Sequence, residues 1–590
     1  MVRTLQIKPA AGRAVAVVAC LLLTGCGGGG DGSPAPAPTP DPTPGPGQVT
    51  ISGTVTYDFV PHRPAGGLDY GLGEPRPARF VTAQFVDGTD VLAATQTDAN
   101  GDYSLSVLTN QPGFIRVRAE SVSVGAPAWN FNIRDNTDRG ALYTLDGAVA
   151  SSGTADSVRD LHAGSGWTGA GYGDARAAAP FAILDSLYEA VEFLAAADPG
   201  IELPLLWVHW SPNNRPTLGL DGNRNLATGE IGTSFYLSNP QNGAKGIYLL
   251  GAEDSDTEEY DPYVILHEFA HYLEREIGRS DSIGGAHSLS DHLDMRLAFS
   301  EGWATAFAAL ALGDPNYRDS VGDSQQAAFL IDVESGPGST SGWYSERSVL
   351  QIVYDLVDSG PDVNDGLIIP FSDVWSVMTG AATTTPALTS IFSLLNALGN
   401  ARPGDRPLID LLAATQSIDP VANDYGDGET NDAGSPDVIP IYTGLTVNTV
   451  PVSLCSTDEF RTATGWKNRL ATRRYIRFEP LTPGDVTITM VATSIPAGEY
   501  ADPDFWVHRM GELVDPFNGI DPPKGQGPPS AACEDVNGGG WTPSDCVESA
   551  SFSLAAEEHI LEVYEWTNAD DDPDYPPIGR TCFDVTVTQP

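Results

Sequence analysis

Asp261-Pro-Tyr-Val-Ile-Leu-His-Glu-Phe-Ala-His-Tyr-Leu-Glu-Arg-Glu-Ile277 is the stretch on which the reading of this chain turns. Asp261 is a residue type that caps helices and Pro262 suits a first helical position, so a helix is expected from there. At 3.6 residues per turn His267 and His271 stack on one face. Leu266, Phe269, Ala270, Leu273 and Ile277 gather away from that face and are expected in the core. Two neutral imidazoles one turn apart can reach one Zn²⁺ at about 2.0–2.1 Å. Glu268 lies between them, placed to take a proton from water that the metal activates. H-E-x-x-H on a helix is thus the pattern of metal-dependent peptide hydrolysis.

A catalytic zinc needs three protein ligands and an open position. A third His ten residues after the first would follow a Gly in the metzincin pattern. Those positions hold Glu274 and Ile277, so that pattern is excluded. Phe299-Ser-Glu-Gly-Trp-Ala-Thr-Ala-Phe-Ala-Ala-Leu310 is a better source. As a helix it gathers Phe299, Trp303, Phe307 and Leu310 on one face and leaves Glu301 opposite, beside Ala298, Thr305 and Ala308. Those small residues, and Gly302, suit a close approach to the metal helix. Asp281 and His287, in the Gly-containing segment between the two helices, are rival ligands.

His267-Glu-Phe-Ala-His271 followed by Ser300-Glu301-Gly-Trp-Ala304 resembles the paired helices of the gluzincin metallopeptidases. The resemblance implies His267, His271 and Glu301 as zinc ligands and Glu268 as general base. It also implies a Tyr or His donor for the oxyanion, for which Tyr344, Tyr354 and His287 are candidates. Aminopeptidase members carry Asn before the ligand Glu; here Ser300 stands there, which leaves the choice between endo- and exo-action open.

The chain has 590 residues, room for three or more domains. Its 31 basic and 78 acidic residues give a net charge of −47. Such a surface repels phosphate backbones and anionic lipid, so no nucleic-acid partner is expected, and the membrane is expected only through a lipid anchor. Residues 1–26 read as an export signal: Arg3, Lys8 and Arg13 precede an apolar run, Ala14–Leu23, too short to span a bilayer. Leu23-Thr-Gly-Cys26 resembles a bacterial lipobox, which implies cleavage before Cys26, its acylation, and residence at the cell envelope. Residues 27–48, rich in Gly and Pro, read as a linker.

Residues 49–122 read as a β-sandwich. Val49–Tyr57 alternates with period two and Asn100-Gly101 marks a turn before a further strand. This pairing is similar to the carboxypeptidase-regulatory-like modules. Residues 123–444 then hold the metal helix. Asp221-Gly-Asn-Arg-Asn225 opens like an EF-hand loop but lacks its later Gly and Glu, and reads as a polar turn. Glu253–Glu259 reads as a solvated acidic loop, with attraction of Ca²⁺ or of a basic substrate as its alternative role. An edge strand near Gly246–Gly251 is expected, by analogy with gluzincins, to pair with an extended peptide.

Residues 445–590 read as a second β-sandwich, loosely similar to pre-peptidase C-terminal modules. Cys455, Cys533, Cys546 and Cys582 are confined to it and suggest two disulfides, with three connectivities open. The expectation is therefore a multidomain protein, an α+β, mainly helical zincin-like core flanked by N- and C-terminal β-sandwiches. Its expected cofactor is Zn²⁺ and its expected partner a peptide or protein substrate, with oligomeric state undetermined. A surface adhesin or binding lipoprotein with a structural or inactive zinc site is the alternative.

Overall fold

The alternation at Val49–Tyr57 builds a long first strand, β1 (Gln48–Phe59), whose Val49, Ile51, Val55 and Tyr57 are buried. The computed structural model describes residues 47–590 except 221, 240–242, 335–337, 339, 359–365, 464, 498, 500, 515–546 and 571–574. The leader, Cys26, the linker up to residue 46, Asp221, Cys533 and Cys546 lie outside the described residues. β1 pairs antiparallel with Asp102–Leu108 and Glu74–Pro77, and parallel with Ser157–Val158 and Leu161–Ala163.

A nine-stranded sheet forms the frame of the molecule. Its main path runs Phe235–Leu237, Gly246–Leu249, Leu206–Trp210, Ala128–Asp135, Phe114–Val124, Val81–Asp87, Asp90–Gln96. The Leu206–Trp210 strand is parallel to both of its neighbours, and the other pairings along the path are antiparallel. The helices α1 (Ala179–Ala197), α2 (Pro262–Glu276), α3 (Met295–Leu312) and α4 (Glu346–Asp355) complete the central part. Phe131 of the sheet meets Phe269 of α2 edge to face, with ring centroids 5.8 Å apart. Leu266, Phe269, Ala270 and Leu273 are fully buried. Burying each larger apolar side chain stabilises the packing by about 1.5–3 kcal/mol, which anchors α2 with its two imidazoles turned away from the core.

Two expected features of this region are corrected. The boundary at 122/123 falls inside the Phe114–Val124 strand, and one sheet carries strands from both sides of it. From Pro42 to Pro590 the chain is one contact unit. Period-two alternation reports that a strand is half-buried but not which strands it joins. The helical weight of the molecule is corrected as well: among the described residues strand outweighs helix overall, because sheets build both flanking regions, and helix leads only within 123–444.

Residues beyond the helix Arg406–Thr415 form two facing sheets. One runs Tyr442–Gly444, Arg473–Phe478, His559–Glu565, Pro503–Arg509, Glu512–Leu513; the other runs Val452–Ser456, Thr581–Thr588, Gly484–Ser494, Val547–Leu554. Ile476, Val486, Ile488, Leu561, Phe583 and Val585 fill a separate core between them. The sandwich begins at Tyr442, slightly before the expected 445. Cys455 and Cys582 face each other in register and are joined by a disulfide. Arg296 of α3 is buried between Asp294 and Glu562, with Nη1 2.8 Å from Glu562 Oε2. The C-terminal sandwich is thereby tied to the helix that bears Glu301. Among the described residues no helix is long and apolar enough to cross a membrane.

Candidate functional site

α2 starts at Pro262 as its sequence requires, but Asp261 does not cap it with its side chain. The Asp261 carboxylate instead accepts from Ser320 Oγ (2.7 Å) and from His62. One and two turns further on, His267 and His271 point at Glu301 of α3. Their Nε2 atoms are 3.2 Å apart and stand 3.2 and 3.3 Å from Glu301 Oε2. The opposite nitrogens are held from behind. His267 Nδ1 lies 3.1 Å from Thr305 Oγ1, and His271 Nδ1 lies 3.3 Å from Ser300 Oγ. Ser300 in turn donates to Glu274 Oε2 at 2.6 Å. Each ring is oriented by a hydroxyl, so both Nε2 lone pairs and one carboxylate oxygen converge, the donor set of a two-His, one-carboxylate zinc site.

Burial alone would raise Glu301, but the imidazoles of His287 and His271 outweigh it and hold its carboxyl well below the usual range. Burial works to lower His271; Glu301 and Glu274 overcome it and raise that imidazole well above its ordinary value. Glu268 behaves differently. It is buried, and that burial raises its carboxyl despite the imidazoles at His267 and His271. The backbone N–H of Tyr236 is turned toward it.

These groups line a cleft of about 890 Å³. One wall is the Phe235–Leu237 strand, which pairs with Gly246–Leu249 on one side and ends the main path of the nine-stranded sheet on the other. The expected edge strand is therefore this one, with Gly246–Leu249 one strand further in. Among the side chains considered as oxyanion donors, His287 alone lines the cleft. Its Nε2 is 3.4 Å from Glu301 Oε2 and 3.6 Å from Glu346 Oε2, and these carboxylates raise it to about 9 against the effect of burial. Tyr344 is turned away, donating to Asn431 Oδ1 at 2.9 Å, and Tyr354 does not reach the cleft. The rival ligand Asp281 is occupied by Arg279 at 2.7 Å and by the Thr389 N–H at 2.7 Å.

Three features escaped the sequence reading. Gly302 makes room for α4 rather than for α2: a Cβ there would stand 2.6 Å from Val349 Cβ. Tyr317 lines the cleft with its ring centroid 6.4 Å from that of His267. The acidic run at Glu253–Glu259 is solvated only at its start: Glu253 and Asp254 are exposed, but Thr257, Glu258 and Glu259 are buried. With Asp319, Asp256 and Glu258 bring one carboxylate oxygen each to within 4.8 Å of the others. Burial first, and neighbouring carboxylates second, push Asp256 up to about 8 and Asp319 to about 7.

No family model matches the chain, and no curated protein matches it. Among solved structures, it is similar to the pre-peptidase C-terminal domain of a collagenase from Bacillus anthracis. The identity is 13%, over 25% of this chain and 93% of that one, with a TM-score of 0.13. It is also similar to CorA, a surface-associated copper-binding protein of Methylomicrobium album BG8, at 14% identity over 25% of this chain and 99% of that one, with a TM-score of 0.15. A 9R-lipoxygenase from Cyanothece PCC8801 is 11% identical over 28% of this chain and 25% of its own, with a TM-score of 0.12. Likenesses at these scores say nothing about the cleft.

Proposed function

We propose that the chain is an exported, lipid-anchored, zinc-dependent peptidase of the gluzincin kind. The observation that carries this reading is the convergence of His267, His271 and Glu301 in a cleft, with the buried Glu268 carboxyl beside them. A zinc ion held by those three side chains would supply Lewis acidity, polarising the scissile carbonyl and lowering the pKa of water toward neutrality.

The remaining work falls to the chain's own residues. Glu268 accepts a proton from the attacking water and passes it to the leaving amine. Its raised carboxyl suits both halves of that task, because it holds the proton more firmly than an exposed glutamate would. His287 faces the cleft, and its ring N–H can donate to the oxygen on which negative charge develops. The Phe235–Leu237 strand offers main-chain groups to an extended substrate, the mode by which a peptide adds to a sheet edge. Phe329 and Ile331, across the cleft, supply apolar lining. Anchoring rests on the leader and on Cys26. A binding lipoprotein with a purely structural zinc would have no use for the protonatable Glu268.

Digestion of a peptide library by the zinc-loaded full chain tests this reading. Cleavage should stop on chelation and return when zinc is restored. Cleavage indifferent to chelator would contradict the zinc reading, and no cleavage at all would favour the binding protein.

A further inference from the structure

We propose that Asp256, Glu258 and Asp319 form a second metal site, for a hard divalent cation of the Ca²⁺ class, in the wall of the same cleft. The site is distinct from the His267–His271–Glu301 group and does not depend on the peptidase reading.

The run from Glu253 to Asp261 sorts its acids into two kinds. Glu253 accepts from the Tyr172 N–H and Asp254 from the Ser324 N–H, each at 2.9 Å. Glu259 pairs with Arg176, and Asp261 with His62 and Ser320. Asp256 and Glu258 have no cationic partner among the described residues, nor has Asp319 on the facing strand Asn316–Val321. Glu258 is 2% exposed; its Oε1 accepts from Ser234 Oγ at 2.9 Å, and its Oε2 is buried with no hydrogen-bond partner. Asp256 Oδ1 and Asp319 Oδ1 are likewise buried and unpartnered.

A buried carboxylate oxygen without a partner is costly, and three crowded carboxyls raise that cost unless a proton or a cation offsets it. Oxygens that ligate one Ca²⁺ at about 2.3–2.6 Å can stand no more than roughly 5 Å apart. One carboxylate oxygen from each of Asp256, Glu258 and Asp319 satisfies that limit, at 4.8 Å or less from the others. All three donors are carboxylates, with no imidazole or thiolate, which selects a hard cation over zinc. The mutual closeness of their oxygens suits one small ion better than the head of a substrate lysine or arginine. The site also has a structural task. It would clamp the segment leading into α2 to the strand that carries Tyr317, and so fix one wall of the cleft.

The test is calorimetric titration of the metal-stripped, zinc-reloaded full chain with Ca²⁺ and, separately, Mg²⁺, with Tb³⁺ luminescence sensitised by Tyr317 as a second readout. Saturable Ca²⁺ binding and a rise in Tm are expected. Glu258→Gln and Asp319→Asn should each weaken binding at least 10-fold with zinc content unchanged. Glu253→Gln, an acid of the same run that faces elsewhere, should leave it intact. Absence of saturable Ca²⁺ or Mg²⁺ binding by the wild-type chain would overturn the site. So would Ca²⁺ binding that Glu258→Gln and Asp319→Asn leave unchanged. If no ion binds but Asp319→Asn raises KM only for peptides bearing Lys or Arg, the carboxylates belong to the substrate instead.

Discussion

At the scale of the residue, His287 is the side chain whose role is least determined by its type. Its Nε2 reaches Glu301 but it stands outside the trio of converging donors. His287→Gln should therefore retain zinc while kcat falls by about 10²–10³-fold, the usual effect of losing an oxyanion donor. Elemental analysis beside steady-state kinetics separates the roles, since loss of zinc would make His287 a ligand. The sequence displays His267, Glu268 and His271 openly, because their spacing is local and helical. Glu301 was legible at one remove, from a second helix with a lone carboxylate among small residues. Thr305, Ser300 and Glu274 behind the rings were not, because their partnership exists only once α2 and α3 are packed. Asp261 misled for the same reason: a cap residue by type, it is claimed by Ser320 and His62, distant in sequence.

At the scale of the element, α3 and α4 are held at a separation that only glycine permits at position 302. A Cβ there would stand 2.6 Å from Val349 Cβ and 2.8 Å from the Glu346 carbonyl oxygen. Gly302→Ala should therefore destabilise the chain by about 1–3 kcal/mol, as overpacking does, despite alanine's better helix propensity. Urea unfolding measures this, and unchanged stability would mean that the two helices part without cost. Helices were the most legible elements: α1 and α4 carry stripes at three- and four-residue spacing. The Asn316–Asp332 hairpin was not seen. Phe329 and Leu330 are about half exposed there, so no clean alternation marks either strand. The Glu253–Glu259 run looked solvated because nothing local reveals that Arg176 and Ser234 meet it from elsewhere.

At the scale of the whole molecule, an acidic chain buries several carboxyls far from the cleft. Asp504 in the C-terminal sandwich is raised to about 9 by burial, then by Asp502, Glu548 and Glu565; Glu565 is raised to about 8, chiefly by burial. Both bind a proton more tightly folded than unfolded, where carboxyls titrate near roughly 4. Their stabilising effect is thus complete below about pH 4 and is lost progressively as pH rises toward 8 to 9. Thermal unfolding should show stability draining across that window, with a shallower slope in Asp504→Asn; an identical slope would remove Asp504 as a source. Both flanking β regions were legible as β, but the way the first merges into the central sheet was not. Sheet membership is a long-range property that no stretch of the chain encodes alone.

The most direct test of the proposed zinc peptidase is turnover and zinc content measured together in the full chain, wild type against Glu268→Gln. The substitution should leave a single equivalent of zinc bound and cut peptide hydrolysis by about 10²–10⁴-fold, the range for a lost general base. Hydrolysis at the wild-type rate with zinc in place would contradict the role given to Glu268.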